Sequence, residues 1–170
     1  MNVGVLVLAF VTAERAGELV LARRNTERLL RNGAREVASE HYLAIVAVHA
    51  AWLAGLWLLA WNRSVHWFWL ALFAALQLLR FWVIATLKQR WTTRIVILPG
   101  APLVKSGPYR FLNHPNYVVV AGEIALLPLA FGLPVYALAF SVLNGFILAV
   151  RIRAENAALR EGADLSEGRR

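Results

Sequence analysis

Apolar runs decide which solvent this chain folds in. Five segments of spanning or nearly spanning length follow one another along its 170 residues, judged against the roughly 20 residues a helix needs to cross a bilayer core. They run from 2 to 22, 43 to 61, 65 to 87, 117 to 131 and 134 to 150. The last two come from one apolar stretch, 117 to 150, too long for a single span at about 1.5 Å per residue. Pro128, Gly132 and Pro134 break it in the middle, which predicts a tight helical hairpin. With 59% hydrophobic and only 16% charged residues, the expectation is an all-α integral membrane protein of one domain. The opening residues MNVGVLVLAFVTAERAGEL lack a basic leader and a small-residue cleavage site, and read as a retained helix.

Arginine and lysine placement gives an orientation, because cytoplasmic loops collect these residues. Arg23, Arg24, Arg28, Arg31 and Arg35 follow the first segment, and Lys88, Arg90, Arg94, Lys105 and Arg110 lie between the third and fourth. Arg151, Arg153, Arg160, Arg169 and Arg170 follow the fifth, whereas the other two connections hold only Arg63. An outside N-terminus and a cytoplasmic C-terminus are expected, and an odd number of spans agrees with that pattern. The net charge of +8 then reports topology and attraction to anionic headgroups. Nucleic-acid binding is a poor reading, since the basic residues are divided among three juxtamembrane segments.

The polar residues that remain are candidates for chemistry. Between Gly107 and Glu123 the run GPYRFLNHPNYVVVAGE carries a polar loop directly into an apolar segment, placing Arg110, His114, Asn116 and two tyrosines where lipid meets water. Upstream, the segment from Arg94 is rich in turn residues and partly extended. Downstream, 151 to 161 has helical composition with Arg151 and Glu155 four residues apart on one face, and the tail from Gly162 is expected to fray. His114 is either a pocket residue or the cap of the fourth helix. Glu123, two turns into an apolar span, faces a cavity or is a paired structural carboxyl. Glu14, Arg15 and Glu18 read as an i, i+3 pairing that holds the first helix to the bundle, and Glu36, Glu40, His41 and Tyr42 line a substrate's entry or solvate an interfacial helix. His49 and His66 read as structural. Trp52, Trp57, Trp61, Trp67 and Trp69 read as an aromatic belt near the outer connection. No cysteine is present, which excludes disulfides, thiolate sites and a cysteine nucleophile. No cluster has metal-ligand spacing, so no metal is expected.

The run PLVKSGPYRFLNHPNY (102–117), the apolar hairpin, and RIRAEN (151–156) together resemble the isoprenylcysteine carboxyl methyltransferase family. The pieces ARRNTERLLRNGAREVASEHY (22–42) and RWTTRIVILPGAPLV (90–104) look like a bacterial inner-membrane branch associated with polyketide synthases, which O-methylates alkylpyrones and alkylresorcinols. The resemblance covers nearly the whole chain. It implies S-adenosylmethionine as cofactor, bound through a loop over 94–116 and the C-terminal helix, with Gly107, Tyr109, His114, Pro115, Tyr117, Arg151, Glu155 and Asn156 as the matching positions. It implies Arg110, Glu123 and Arg151 as catalytic candidates, and a lipophilic acceptor reached from the bilayer. Two departures stand out. Asn113 occupies a position where the family often has arginine, and Asn156 one where it often has a second acidic residue. The second suits an acceptor other than a prenylcysteine carboxylate. A prenylcysteine carboxyl methyltransferase, a membrane transport or assembly protein and a membrane reductase are the rival readings.

Physical chemistry makes methyl transfer a sensible use for such residues. Displacement at a sulfonium has a good leaving group, so the protein must mainly hold two reactants close and aligned, an effect that reaches roughly 7 to 11 kcal/mol in the best cases. A cofactor bearing ammonium, carboxylate, ribose and adenine wants acidic, cationic and aromatic contacts in one place.

Overall fold

A computed structural model describes the backbone of residues 3–38 and 42–167 and the side chains as far as Leu159. Helix α1, Val3–Arg31, runs well beyond the expected end at residue 22 because Arg23 to Arg31 contains no Gly or Pro to stop it. It ends where Gly33 takes φ +86°: Gly33 N–H reaches Leu30 O and Ala34 N–H reaches Leu29 O, satisfying two terminal carbonyls. After this cap comes β1, Arg35–Val37, then α2, Tyr42–Ala60, and α3, Trp67–Leu87. Strand β2, Ile95–Ile97, pairs antiparallel with β1, Glu36 lying opposite Val96. Among the described residues this small ribbon is the departure from the expected all-α architecture. A short 3-10 turn over Gly107–Arg110 leads to α4, Pro115–Ala130, and α5, Pro134–Glu167.

The hairpin break is as the sequence indicates. Gly132, at φ +66°, closes α4 as Gly33 closes α1, with Leu133 N–H on Pro128 O and Gly132 N–H on Leu129 O. Pro134 then opens α5, where a missing N–H costs nothing. Helix α5 continues without interruption to Glu167, because nothing in RIRAENAALRE breaks a helix: the helical segment over 151–161 extends the fifth apolar segment, and the backbone from 162 to 167 is helical where a frayed tail is expected from the sequence. Glu40, His41, Arg169 and Arg170 lie outside the described residues, as do the side chains from Arg160 onward.

Among the described residues three helices, over 42–60, 67–90 and 134–159, are long and apolar enough to cross a membrane. The shorter apolar α4 has 16 residues, and α1 owes its low mean hydropathy to Glu14, Arg15, Glu18 and the arginines after them. One packed cluster joins Leu8 and Val11 of α1, Trp52, Leu56 and Ala60 of α2, Phe73 of α3, and Ile124, Leu127 and Phe131 at the end of α4. The α2–α3 and α4–α5 turns therefore share one end of the molecule, where His66 N–H donates to Ala130 O at 2.8 Å. The ribbon and the 107–110 turn occupy the other end. Trp52 is only 3% exposed and Trp57 Nε1 donates to Thr12 Oγ1 at 3.0 Å, so these two tryptophans are bundle residues and not part of a surface belt. Trp61 and Trp67 are exposed. The α3–α4 contact includes Gly122, where an added Cβ would come within 2.4 Å of Leu76 Cδ1 and that side chain would have to turn aside.

Candidate active site and a buried ionic network

Three elements converge at the ribbon end: the start of α4, the middle of α5 and the Thr93–Arg94 strap that leads into β2. His114 occupies the N-cap position of α4, but its side chain makes no cap hydrogen bond. It turns to α5, where Nε2 lies 3.2 Å from Asn156 Oδ1 and Nδ1 lies 3.7 Å from Glu155 Oε2. One turn along α4, the Tyr117 ring stacks on the imidazole at a centroid distance of 5.2 Å. The Tyr117 hydroxyl donates to Glu155 Oε2 and accepts from Arg151 Nε at 2.9 Å. The i, i+4 spacing of Arg151 and Glu155 thus converges on one phenol supplied by the opposite arm of the hairpin.

Arg151 is fixed from a second side, since its Nη2 donates to the Thr93 carbonyl at 2.6 Å. That carbonyl belongs to a strap held in several ways. Tyr42 Oη lies 3.3 Å from Thr93 Oγ1, Arg94 stacks over the Tyr42 ring at 4.5 Å, and Arg94 Nη1 donates to both Glu36 oxygens at 2.7 and 2.9 Å. Glu36 and Tyr42 line a small cavity together with Arg94 and Arg151. Tyr109, packed against Ala22, Val83 and Trp91, has its phenol pKa pushed up to about 12 by burial and by the nearby Glu155 carboxylate. It is therefore a neutral donor at physiological pH.

The remaining sequence candidates fall in different places. Pro115 is buried as the first residue of α4. Gly107 lies against α3, where a Cβ would sit 2.4 Å from Thr86 Oγ1, so it shapes the turn. Arg110 is exposed and its contact is with the Phe111 ring, at 5.9 Å; it is not brought into the His114–Tyr117–Arg151–Glu155 group. Glu123 is also elsewhere, inside the bundle. Arg15 Nη2, Gln77 Nε2 and Arg80 Nη1 donate to it at 2.9, 2.8 and 2.9 Å. Arg80 further grips Glu18 through Nε and, at 2.6 Å, through Nη2, and Arg15 Nη1 donates to Glu18 at 2.9 Å. Each of these charges is visible singly in the sequence, but that five of them form one network across α1, α3 and α4 is not. Asn116 is a further residue of interest: its Oδ1 is buried with no hydrogen-bond partner among the described residues, between His114 and Tyr117 in the chain.

Comparison with known proteins decides the family. The model of the isoprenylcysteine carboxyl methyltransferase family matches residues 69–161, which takes in α3, the strap, the 107–110 turn, the hairpin and the RIRAEN segment. The chain belongs to that family. The family's members are methyltransferases that use S-adenosylmethionine as methyl donor, and membership supports a membrane enzyme of the methyltransferase kind. The uncharacterized protein YpbQ of Bacillus subtilis is 38% identical over 161 residues, covering 92% of this chain and 96% of that protein. An uncharacterized protein of Haemophilus influenzae is 28% identical over 169 residues, covering 91% and 93% of the two. No solved structure matches the chain.

Proposed function

We propose that the protein is an S-adenosylmethionine-dependent O-methyltransferase acting on a lipophilic acceptor, a long-chain enol or phenol of the alkylpyrone or alkylresorcinol type. The observation that carries this reading is the group His114, Tyr117, Arg151 and Glu155, gathered where an apolar hairpin meets a polar loop. These residues fit the cofactor by donor type: a carboxylate for ribose hydroxyls or an ammonium, a guanidinium for a carboxylate, and stacked rings for a cationic or aromatic surface. Asn116 Oδ1, buried and without a partner among the described residues, fits as well, because an amino group would supply the donor it lacks. Glu155, Tyr117, His114, Asn116 and Asn156 would hold the cofactor, and S-adenosylmethionine supplies an electrophilic methyl group there.

The chain's own contribution is then positioning and charge. Arg151, held between Tyr117 and the Thr93 carbonyl, presents a fixed cation that stabilises an anionic acceptor oxygen. An acidic enol arrives largely ionised, whereas a phenol with pKa near 10, the value for tyrosine, depends more on that cation. Tyr109 serves as a neutral donor and not as the base. The arginine and lysine distribution supports a five-span arrangement with the N-terminus outside and this site on the cytoplasmic side, where a soluble cofactor reaches it while the acceptor's tail stays in the bilayer. Titrating purified protein with S-adenosylmethionine, then supplying labelled cofactor with an alkylpyrone, an alkylresorcinol or a farnesylcysteine analogue, tests the proposal. Methyl transfer to the first two is expected. Absence of cofactor binding by folded protein overturns the enzymatic reading, and transfer to the farnesylcysteine analogue alone overturns the acceptor class.

A further inference from the structure

On the outer surface of the bundle α1 and α3 leave a groove of about 370 Å³, within the range that holds a small molecule. Phe10, Leu21, Phe81 and Ile84 give it apolar walls, Gly17 leaves one wall low, and Glu14 and Glu18 are acidic residues lining it. The Glu14 side chain is 7% exposed, and its Oε1 is buried with no hydrogen-bond partner among the described residues. Its other oxygen receives one long contact, 3.3 Å from Arg15 Nη2.

The network explains why Glu14 is left short. It contains three carboxylates, Glu14, Glu18 and Glu123, against two guanidiniums, Arg15 and Arg80, and both guanidiniums are committed to Glu18 and Glu123. One acid is in excess, and Glu14 is the one with the fewest donors. An unmet carboxyl oxygen in an apolar setting is costly. A hydroxyl relieves it in either state of Glu14, because it donates to an ionised oxygen and accepts from a protonated one; an ammonium serves only the first. The groove residues approach the cofactor group only through packed side chains. Ile84 lies against Ala22, Val83 and Trp91, as does Tyr109, and Tyr109 is the residue near Glu155.

We propose that this groove is a second binding site, distinct from the site of methyl transfer, for a single-chain amphiphile with a hydroxyl head: the chain lies along Phe10, Leu21, Phe81 and Ile84, and the hydroxyl meets Glu14. The proposal stands whether or not the protein transfers methyl groups. The probe is a long-chain primary alcohol carrying a diazirine in the chain, compared with the matching alkane and the matching primary amine, each photolysed with full-length protein in detergent. Labelling of 10–21 and 81–84 by the alcohol is expected to exceed that by the alkane about tenfold, the value of one hydrogen bond to a charged group, and to exceed that by the amine. A Cβ at Gly17 meets nothing within 4 Å, so Gly17→Phe starts from open space in the groove and leaves every charged residue of the network in place; it and Glu14→Leu are expected to abolish the preference, whereas Glu14→Gln, which keeps a donor and an acceptor, retains it. The thermal midpoint of Gly17→Phe in detergent is expected to match that of the unsubstituted protein, which verifies the fold without reference to any cofactor and keeps this test separate from that of the methyl-transfer reading. Equal labelling by alcohol and alkane, preference for the amine, or labelling that survives Gly17→Phe overturns the proposal.

Discussion

Tyr117 is the residue on which the candidate site turns, because its hydroxyl alone links Glu155 and Arg151 across the hairpin. Tyr117→Phe removes that atom and keeps the ring stacked on His114. A hydrogen bond to a charged group contributes about 1.5 to 3 kcal/mol, so S-adenosylmethionine binding is expected to weaken by roughly 10- to 100-fold; a calorimetric titration reads this directly, and unchanged affinity would place the cofactor elsewhere. Tyr109 makes the opposite prediction. Its folded pKa of about 12 lies above the ordinary value of about 10, so stability is whole below pH 10 and declines as pH rises from there toward 12, where the unfolded chain sheds a proton the folded one keeps. Tyr109→Phe is expected to leave the pH dependence of activity unchanged below pH 10 and to flatten the alkaline loss of stability, measured by intrinsic fluorescence melts in detergent. Most residues of this site are legible in the sequence, since helical spacing pairs Arg151 with Glu155 and the polar loop announces His114 and Tyr117. Asn116 Oδ1 is not, because an unmet acceptor is a property of packing.

At the level of elements, the ionic network is what lets α1 carry Glu14, Arg15 and Glu18 through the bundle, charges being tolerated within a membrane where they face inward and find partners. Its worth is asymmetric. Loss of one member strands the others, at about 3 to 5 kcal/mol for a buried pair, whereas an exposed pair such as Arg23–Glu27, with side chains 84% and 48% exposed, contributes at most about 1 kcal/mol. Arg80→Leu is therefore expected to lower the thermal midpoint sharply and Arg23→Ala hardly at all. Double substitution of Arg80 with Glu18 restoring part of the loss would confirm that the cost is an unpaired charge. Such a network is hard to read from sequence because it depends on the rotation of three helices about their axes. The ribbon is hidden for a different reason: Arg35–Val37 is a three-residue strand without periodicity, and its partner lies some sixty residues away. Trp52 escapes the sequence as well, since position along a helix does not reveal which face is buried.

For the whole molecule, two ends of opposite character define how it sits in a bilayer. The end with the α2–α3 and α4–α5 turns carries Arg63 as the sole arginine or lysine of its connections, while the end with the ribbon, the strap and the cofactor group collects the basic residues of three segments. The apolar lengths and breaks along the chain make this bipolar arrangement legible, because both caps, Gly33 and Gly132, lie where the sequence turns polar or breaks. The charge bias predicts that the ribbon end faces the cytoplasm. The absence of cysteine makes the test direct, since a single introduced thiol is the only one to react. Ser64 and Ser106 lie at opposite ends and both are exposed. Ser64→Cys is expected to react with a membrane-impermeant maleimide in intact cells, and Ser106→Cys only after the inner membrane is permeabilised. The reverse pattern would put the His114–Glu155 group outside, away from cytosolic S-adenosylmethionine, and the methyltransferase site would have to be sought at the other end.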